Sequence, residues 1–350
     1  MKKILMSGNE AIAEGALQAG CTFYAGYPIT PQNEIIAYFA KALPERGGVF
    51  IQAESELAAI NMVFGASSAG VRAMTSSSSP GVSLKQEGIS YIAGAELPAV
   101  IVNIMRGGPG LGNIWPAQSD YFQSTRGGGH GDYRCIVIAP YCVQEAYDSM
   151  FEAFGLADKY RMPVIILGDG MLGQVMEPII AYRKAHTTYR KPWALTGCKG
   201  REPNISKSFF MAEGDLEKAN LKLQKKYKMI QEKEERFEGL FLDDAKIIVV
   251  AYGTMARSVK SVLHKLRKDG LKIGLIRPIM LWPFPNKAFT KHLTPNTKYL
   301  TIEMSYGQMV EDVKLVINGK APVEFLGRSG GGVPSEDEII KKISDISAIN

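Results

Sequence analysis

Cysteine is scarce in this 350-residue sequence: Cys21, Cys135, Cys142 and Cys198 are the only four, far apart and with no C-x-x-C pair. That spacing argues against a zinc site or an iron–sulfur cluster held by this chain alone. Each thiol lies in or beside an apolar stretch, which predicts buried, reduced side chains. Histidine is as rare, with four residues. Long apolar runs are also missing. The run Ile4-Leu5-Met6 is too short for a signal peptide, and no segment approaches the roughly 20 apolar residues that cross a bilayer. A cytoplasmic chain without membrane contact is the expectation. A charge imbalance is absent too: 41 Lys and Arg stand against 35 Asp and Glu, a net +6, with both signs mixed. That pattern keeps a protein soluble and is not the footprint of a nucleic-acid binder.

What remains is an ordinary globular composition, 46% hydrophobic and 22% charged, long enough for two domains. Apolar, β-branched runs alternate with helical stretches, which predicts an α/β chain of βαβ units on a parallel sheet. Helices are expected over 9–19, 31–42, 57–69 and 143–160. Strands are expected at 22–25, 49–52, 72–75, 100–104, 135–139 and 164–167. Ser76-Ser77-Ser78-Ser79-Pro80-Gly81 reads as a loop, and Arg106 to Gly131 as a long Gly-rich one of the kind that is functional or mobile. The first domain is expected over 1–189. Residues 190–244 form a linker whose charge-dense stretch, Glu213 to Glu238, predicts a solvated connecting helix. A second, smaller alternation fills 245–350.

Two residues stand where α/β sheets place their ligands, at the carboxyl ends of strands, and a third stands at the start of an apolar helix. In Gly26-Tyr27-Pro28-Ile29-Thr30-Pro31 two prolines fix the backbone around Thr30. That turn either presents the hydroxyl to a ligand or caps the following helix. Glu54 and Glu56 open an apolar helix. They suit a helix N-terminus, and a carboxylate there can equally bond a heteroaromatic nitrogen in a buried site. Arg106 leaves the most apolar strand and precedes Gly107-Gly108-Pro109-Gly110. Its planar fork suits a carboxylate ligand, and a surface arginine at a strand exit fits the pattern as well. Ser76 to Ser79 offer hydroxyls to a polar pocket or to a solvated turn. His130 sits in a glycine run, with no role assigned. Gly168-Asp169-Gly170 resembles the start of a magnesium–diphosphate motif. The Asn needed to complete the metal's oxygen shell is missing up to Glu202, so a tight turn is the better account.

In this order, Gly26 to Pro31, Glu54 to Ala59, Arg72 to Gly81 with Leu84-Lys85-Gln86-Glu87, and Met105 to Gly112 resemble the 2-oxoacid:ferredoxin oxidoreductases. The likeness continues through Pro163 to Glu177, Tyr252-Gly253-Thr254, Arg277-Pro278 and Gly330 to Pro334. It is similar to the alpha subunit, in the short form associated with branched-chain 2-oxoacids such as 3-methyl-2-oxobutanoate. The resemblance implies a thiamine-diphosphate-binding fold: a pyrimidine-type domain, then a smaller domain like the transketolase C-terminal one. It implies a shared site, with beta, gamma and sometimes delta subunits. Magnesium, the diphosphate half and a [4Fe-4S] cluster are then expected on the beta subunit, with coenzyme A and ferredoxin as further partners.

By the same resemblance Glu56 bonds the aminopyrimidine N1′ and favours the imino tautomer that takes the thiazolium proton. Thr30 and Arg106 contact the 2-oxoacid, and Tyr27, Pro28, Ser79 and Pro80 surround the cofactor. A 2-oxoglutarate or aryl-pyruvate enzyme, or a non-catalytic assembly subunit, are the alternatives.

Overall fold

The computed structural model describes residues 3–182, 189–294 and 296–348. The chain starts with β1 (Ile4–Ser7), α1 (Gly8–Gln18), β2 (Phe23–Gly26), α2 (Asn33–Glu45), β3 (Val49–Gln52), α3 (Glu56–Ser68), β4 (Ala73–Ser77), α4 (Ser79–Gly94) and β5 (Ala99–Met105). It continues through α5 (Tyr121–Arg126), β6 (Ile136–Ile138), α6 (Val143–Tyr160), β7 (Pro163–Asp169), α7 (Gly170–Gln174) and β8 (Met176–Ile179). The long helix α8 (Asp215–Lys233) leads to β9 (Phe237–Leu240), β10 (Ile247–Val250), α9 (Gly253–Lys268), β11 (Ile273–Pro278) and β12 (Met280–Trp282). The chain closes with α10 (Asn286–Thr290), β13 (Lys298–Glu303), α11 (Met309–Ile317), β14 (Val323–Gly327) and α12 (Glu336–Ala348).

The expected α/β architecture is present. β5 and β7 are buried at every position, as near-continuous apolar strands are when helices cover both faces. They lie at the centre of a seven-stranded sheet ordered β12-β6-β7-β5-β4-β2-β3, parallel except for β12. The second sheet runs β14-β13-β10-β11-β9, parallel except for β9. Its core is lined by the buried face of α9, where Val259, Val262, Leu263 and Leu266 recur at helical spacing.

The chain crosses between the two sheets at both edges. β12, from beyond residue 245, pairs antiparallel with β6 of the first sheet. β9, from the 190–244 segment, pairs antiparallel with β11 of the second.

Several local expectations change. The 213–238 stretch is not a solvated helix throughout. It gives way to β9, and α8 buries Leu223, Tyr227 and Ile230 in the first domain's core. Those residues recur at four and three and so share one face. Ion pairs from Lys226 and Lys222 to Glu96 hold that face down.

The Ser76–Gly81 segment is no loop. Ser76 and Ser77 end β4, and Ser79 to Gly81 form the first turn of α4. Pro80 is tolerated there because first-turn N–H groups have no helical acceptor. Pro31 precedes its helix, which starts at Asn33. Cys21 and Cys135 are buried as expected, whereas Cys142 is half-buried and Cys198 exposed.

Candidate active site

The carboxyl ends of β2, β3, β4 and β5 bring the singled-out residues into one region, because parallel neighbours end side by side. β3 exits to Glu56. The first turn of α3 is capped by Ser55, whose hydroxyl accepts from Ala58 N at 3.2 Å, while Glu54 is exposed. Glu56 therefore does no capping, and its side chain is only 5% exposed. It points at α4, where a Cβ on Gly81 would collide with Glu56 Oε1 and Ser77 Oγ. Ser77 Oγ is buried beside it without any partner, and Ser78 Oγ, next along the chain, is buried and unpartnered too. A buried carboxylate flanked by unpartnered hydroxyls has polar capacity left for a ligand.

The turn after β2 is held from below. Tyr24 Oη and Ser76 Oγ meet at 2.5 Å, Ser76 Oγ donates to Gln32 Oε1 at 2.5 Å, and Gln32 Nε2 donates to Tyr27 O at 3.3 Å. Tyr27 and Pro28 are exposed, and Thr30 is half-buried.

Arg106, buried at the end of β5, donates from Nη1 to Thr30 O and from Nη2 to Leu111 O, each at 2.9 Å. Its Nε is buried and unpartnered. Thr30 and Arg106 are thus brought together through the Thr30 carbonyl. Ser79 is engaged within the chain: its hydroxyl donates to Asp120 Oδ2 at 2.6 Å and accepts from Arg106 N at 3.0 Å. Asn103 Nδ2 donates to the same Asp120 oxygen at 2.9 Å. Burial pushes the Asp120 carboxyl up, against these two hydrogen bonds. Pro80 is half-buried, one residue on.

The segment from Arg106 to Gly131 is pinned rather than loose. Gln118 exchanges hydrogen bonds with Tyr252 and Met304 of the second domain, and Asn113 Nδ2 donates to Gly330 O at 2.9 Å. Beside Thr30 the two domains enclose a cavity of about 660 Å³ with Ile114, Trp115, Met171 and Val333 in its wall. Among the described residues, Glu34 is the one charged side chain lining it. His130 is exposed, edge-on to Tyr91. Asp169 caps α7, accepting from Met171 N and Leu172 N at 3.0 Å.

Sequence reasoning gave no role to Lys85, Asn103 or Asp120. Lys85 is fully buried behind Glu56. A lysine inside an otherwise core-facing helical pattern was the available signal.

These residues fit the pyrimidine end of thiamine diphosphate. A ring nitrogen needs one buried carboxylate, and the ring needs backbone it can approach without a β-carbon in the way. Glu56 and Gly81 meet both needs. The leftover hydroxyls of Ser77 and Ser78 suit polar groups on the ring.

Residues 14–236 match the family described as pyruvate flavodoxin/ferredoxin oxidoreductase, thiamine diphosphate-binding. Residues 245–339 match pyruvate:ferredoxin oxidoreductase core domain II. The ketoisovalerate oxidoreductase subunit VorB of Methanothermobacter marburgensis is 49% identical, over 98% of this chain and 97% of its own length. The 2-oxoglutarate synthase subunit KorA of the same organism is 38% identical over 98% of each.

Among solved structures, the 2-oxoglutarate:ferredoxin oxidoreductase of Magnetococcus marinus, with 2-oxoglutarate, coenzyme A and succinyl-CoA bound, superposes with a TM-score of 0.86 at 26% identity. The match covers 98% of this chain, which spans 65% of that longer one. A split-gene transketolase shares the fold alone, at a TM-score of 0.59 and 14% identity over 97% of each chain. The chain belongs to the 2-oxoacid:ferredoxin oxidoreductase family, as an alpha-type subunit carrying its thiamine-diphosphate-binding domain.

Proposed function

We propose that this chain works in the oxidative decarboxylation of a branched-chain 2-oxoacid, 3-methyl-2-oxobutanoate, with coenzyme A. The products are the acyl-CoA, carbon dioxide and two reduced ferredoxins. The observation that carries the reading is Glu56, buried at the mouth of an apolar helix whose cap is already supplied by Ser55. Thiamine diphosphate, when bound, supplies the carbon nucleophile and electron sink for this chemistry. Glu56 holds the proton at the pyrimidine nitrogen. Gly81 lets the ring approach, with Tyr27, Pro28 and Pro80 around it and Ser79 fixing the floor. Thr30 Oγ1 and the free Arg106 Nε face the oxoacid.

The beta subunit holds the diphosphate half, magnesium and a [4Fe-4S] cluster, and a gamma subunit, in some assemblies with a delta subunit, completes the cytoplasmic enzyme.

Two observations favour the branched-chain substrate over 2-oxoglutarate. Identity to the ketoisovalerate enzyme's subunit exceeds that to the 2-oxoglutarate enzyme's subunit. The cavity beside Thr30 has apolar walls, and the charge in its lining, Glu34, repels a second carboxylate.

The test is co-expression with the neighbouring subunits and an assay of coenzyme-A-dependent viologen reduction across a panel of oxoacids. The highest kcat/KM is expected with 3-methyl-2-oxobutanoate. A preference for 2-oxoglutarate overturns the substrate, and full activity in a complex lacking this chain reduces it to an assembly subunit. Gly81→Ala, which forces the Glu56 carboxylate aside, is expected to weaken thiamine diphosphate binding about ten-fold, the worth of one charge-assisted hydrogen bond. Calorimetry on the assembled complex measures it, and an unchanged affinity would mean that the carboxylate's position does not matter.

A further inference from the structure

Lys85 is the one lysine in the buried core among the described residues, at 0% exposure. Gly81, Lys85 and Gly88 are spaced by four and three, so they share the face of α4 that meets α3. The helices touch along that line. A Cβ on Gly88 would stand 2.6 Å from Ile60 Cγ2, and one on Gly81 would strike Glu56. Lys85 lies in this seam. Its Nζ donates to Thr75 Oγ1 on β4 at 3.1 Å and to the backbone oxygen of Glu56 at 3.4 Å. Both acceptors are uncharged, which leaves one of three N–H donors unused. Burial pulls the ammonium down to about 8, against the opposing effect of Glu56. A side chain needed only to fill the seam would be apolar, since a buried cation is costly without a use for its charge.

We propose that Lys85 is a positioning residue for Glu56: its ammonium ties the first turn of α3 to β4 and places a positive charge behind the Glu56 carboxylate, directing it toward the pyrimidine nitrogen. The inference rests on the assignment of Glu56 given above. Other titratable groups on the packed elements are committed elsewhere. Tyr24 meets Ser76, Tyr133 donates to Gln86, Asp120 accepts from Ser79, and Asp169 caps α7. Glu87 accepts from Tyr91 on the exposed side, where His130 also lies. Glu56 is the acidic residue that Lys85 touches, through its backbone oxygen at 3.4 Å.

Removing a nearby positive charge raises the proton affinity of a carboxylate and of whatever shares its proton. The experiment is a pH titration of the assembled complex with thiamine diphosphate and no oxoacid, followed by near-ultraviolet circular dichroism. The signal that separates the imino form of the bound pyrimidine from its protonated form is the readout. In Lys85→Met the midpoint is expected to move to higher pH by about one unit or more. The acid limb of kcat/KM should move with it. Glu56→Gln should lack that transition. An unmoved midpoint in an assembled Lys85→Met complex overturns the proposal. Should that variant fail to assemble, Lys85→Gln decides, since it removes the charge yet keeps a polar group able to donate to Thr75 Oγ1: an upward shift supports the role, and none overturns it. A wild-type complex that shows the transition but turns over no oxoacid overturns the activity alone. One that binds no thiamine diphosphate overturns both.

Discussion

Glu56→Gln is expected to lower coenzyme-A-dependent viologen reduction by the assembled enzyme about 10²–10⁴-fold, the usual worth of a positioned acid–base group. The amide has almost the same shape, so the seam against Gly81 stays filled, and the cap of α3 belongs to Ser55. Assembly and the thermal midpoint should therefore survive. What disappears is an acceptor able to take the pyrimidine's proton at neutral pH. The informative comparison is with Glu54→Gln, one turn position away and exposed. That change should leave the rate within a factor of about two, since surface substitutions away from a site rarely matter. A Glu56→Gln enzyme with wild-type turnover would end the assignment.

Arg277→Met is the stability counterpart, with an expected loss of roughly 3–5 kcal/mol. Arg277 lies on β11 with a side chain only 4% exposed. It grips Glu145 on α6 of the first domain with two bonds of 3.0 Å and Glu238 on β9 with one of 2.7 Å, stacked over Tyr141 at 4.4 Å. Methionine replaces the stem and leaves two partly buried carboxylates facing each other. Denaturant unfolding of the chain measures the loss, and Arg277→Met combined with Glu145→Gln should recover part of it. A loss below about 1 kcal/mol would place the cluster with solvated surface pairs.

The cluster also carries a pH signature. Burial acts to raise the Glu238 carboxyl, but the Lys260 and Arg277 hydrogen bonds outweigh it and hold the group below its ordinary value. A depressed carboxyl stabilises the fold at neutral pH and loses that contribution as the pH falls below the ordinary carboxylate range. Arg277→Met should flatten the acid side of the stability curve accordingly.

Some of this protein was settled by its sequence. Strong apolar runs such as 100–104 and 164–167 are strands because such residues can only be buried, and the 143–160 periodicity is a helix to the residue. That Glu56, Thr30 and Arg106 gather in one region follows from the chain order, because Arg106 directly follows a strand, the other two lie four residues past theirs, and parallel strands bring their carboxyl ends together. The family itself was legible from short motifs in a fixed order.

Contacts between distant segments were not legible. The serine run looked like a turn, because local composition does not reveal that Ser78 is extended and α4 begins after it. α8 looked solvated, because the three apolar residues that it buries stand among many charges and signify nothing until a core stands opposite them. The glutamates were read as suiting the start of α3, and the folded backbone caps it with Ser55 instead. Lys85 was part of a motif, yet its place against Glu56 depends on two helices meeting at Gly81 and Gly88. Sequence periodicity fixes which face of an element is apolar. What that face meets, and which charge is sealed against which, is set by long-range packing that no local pattern contains.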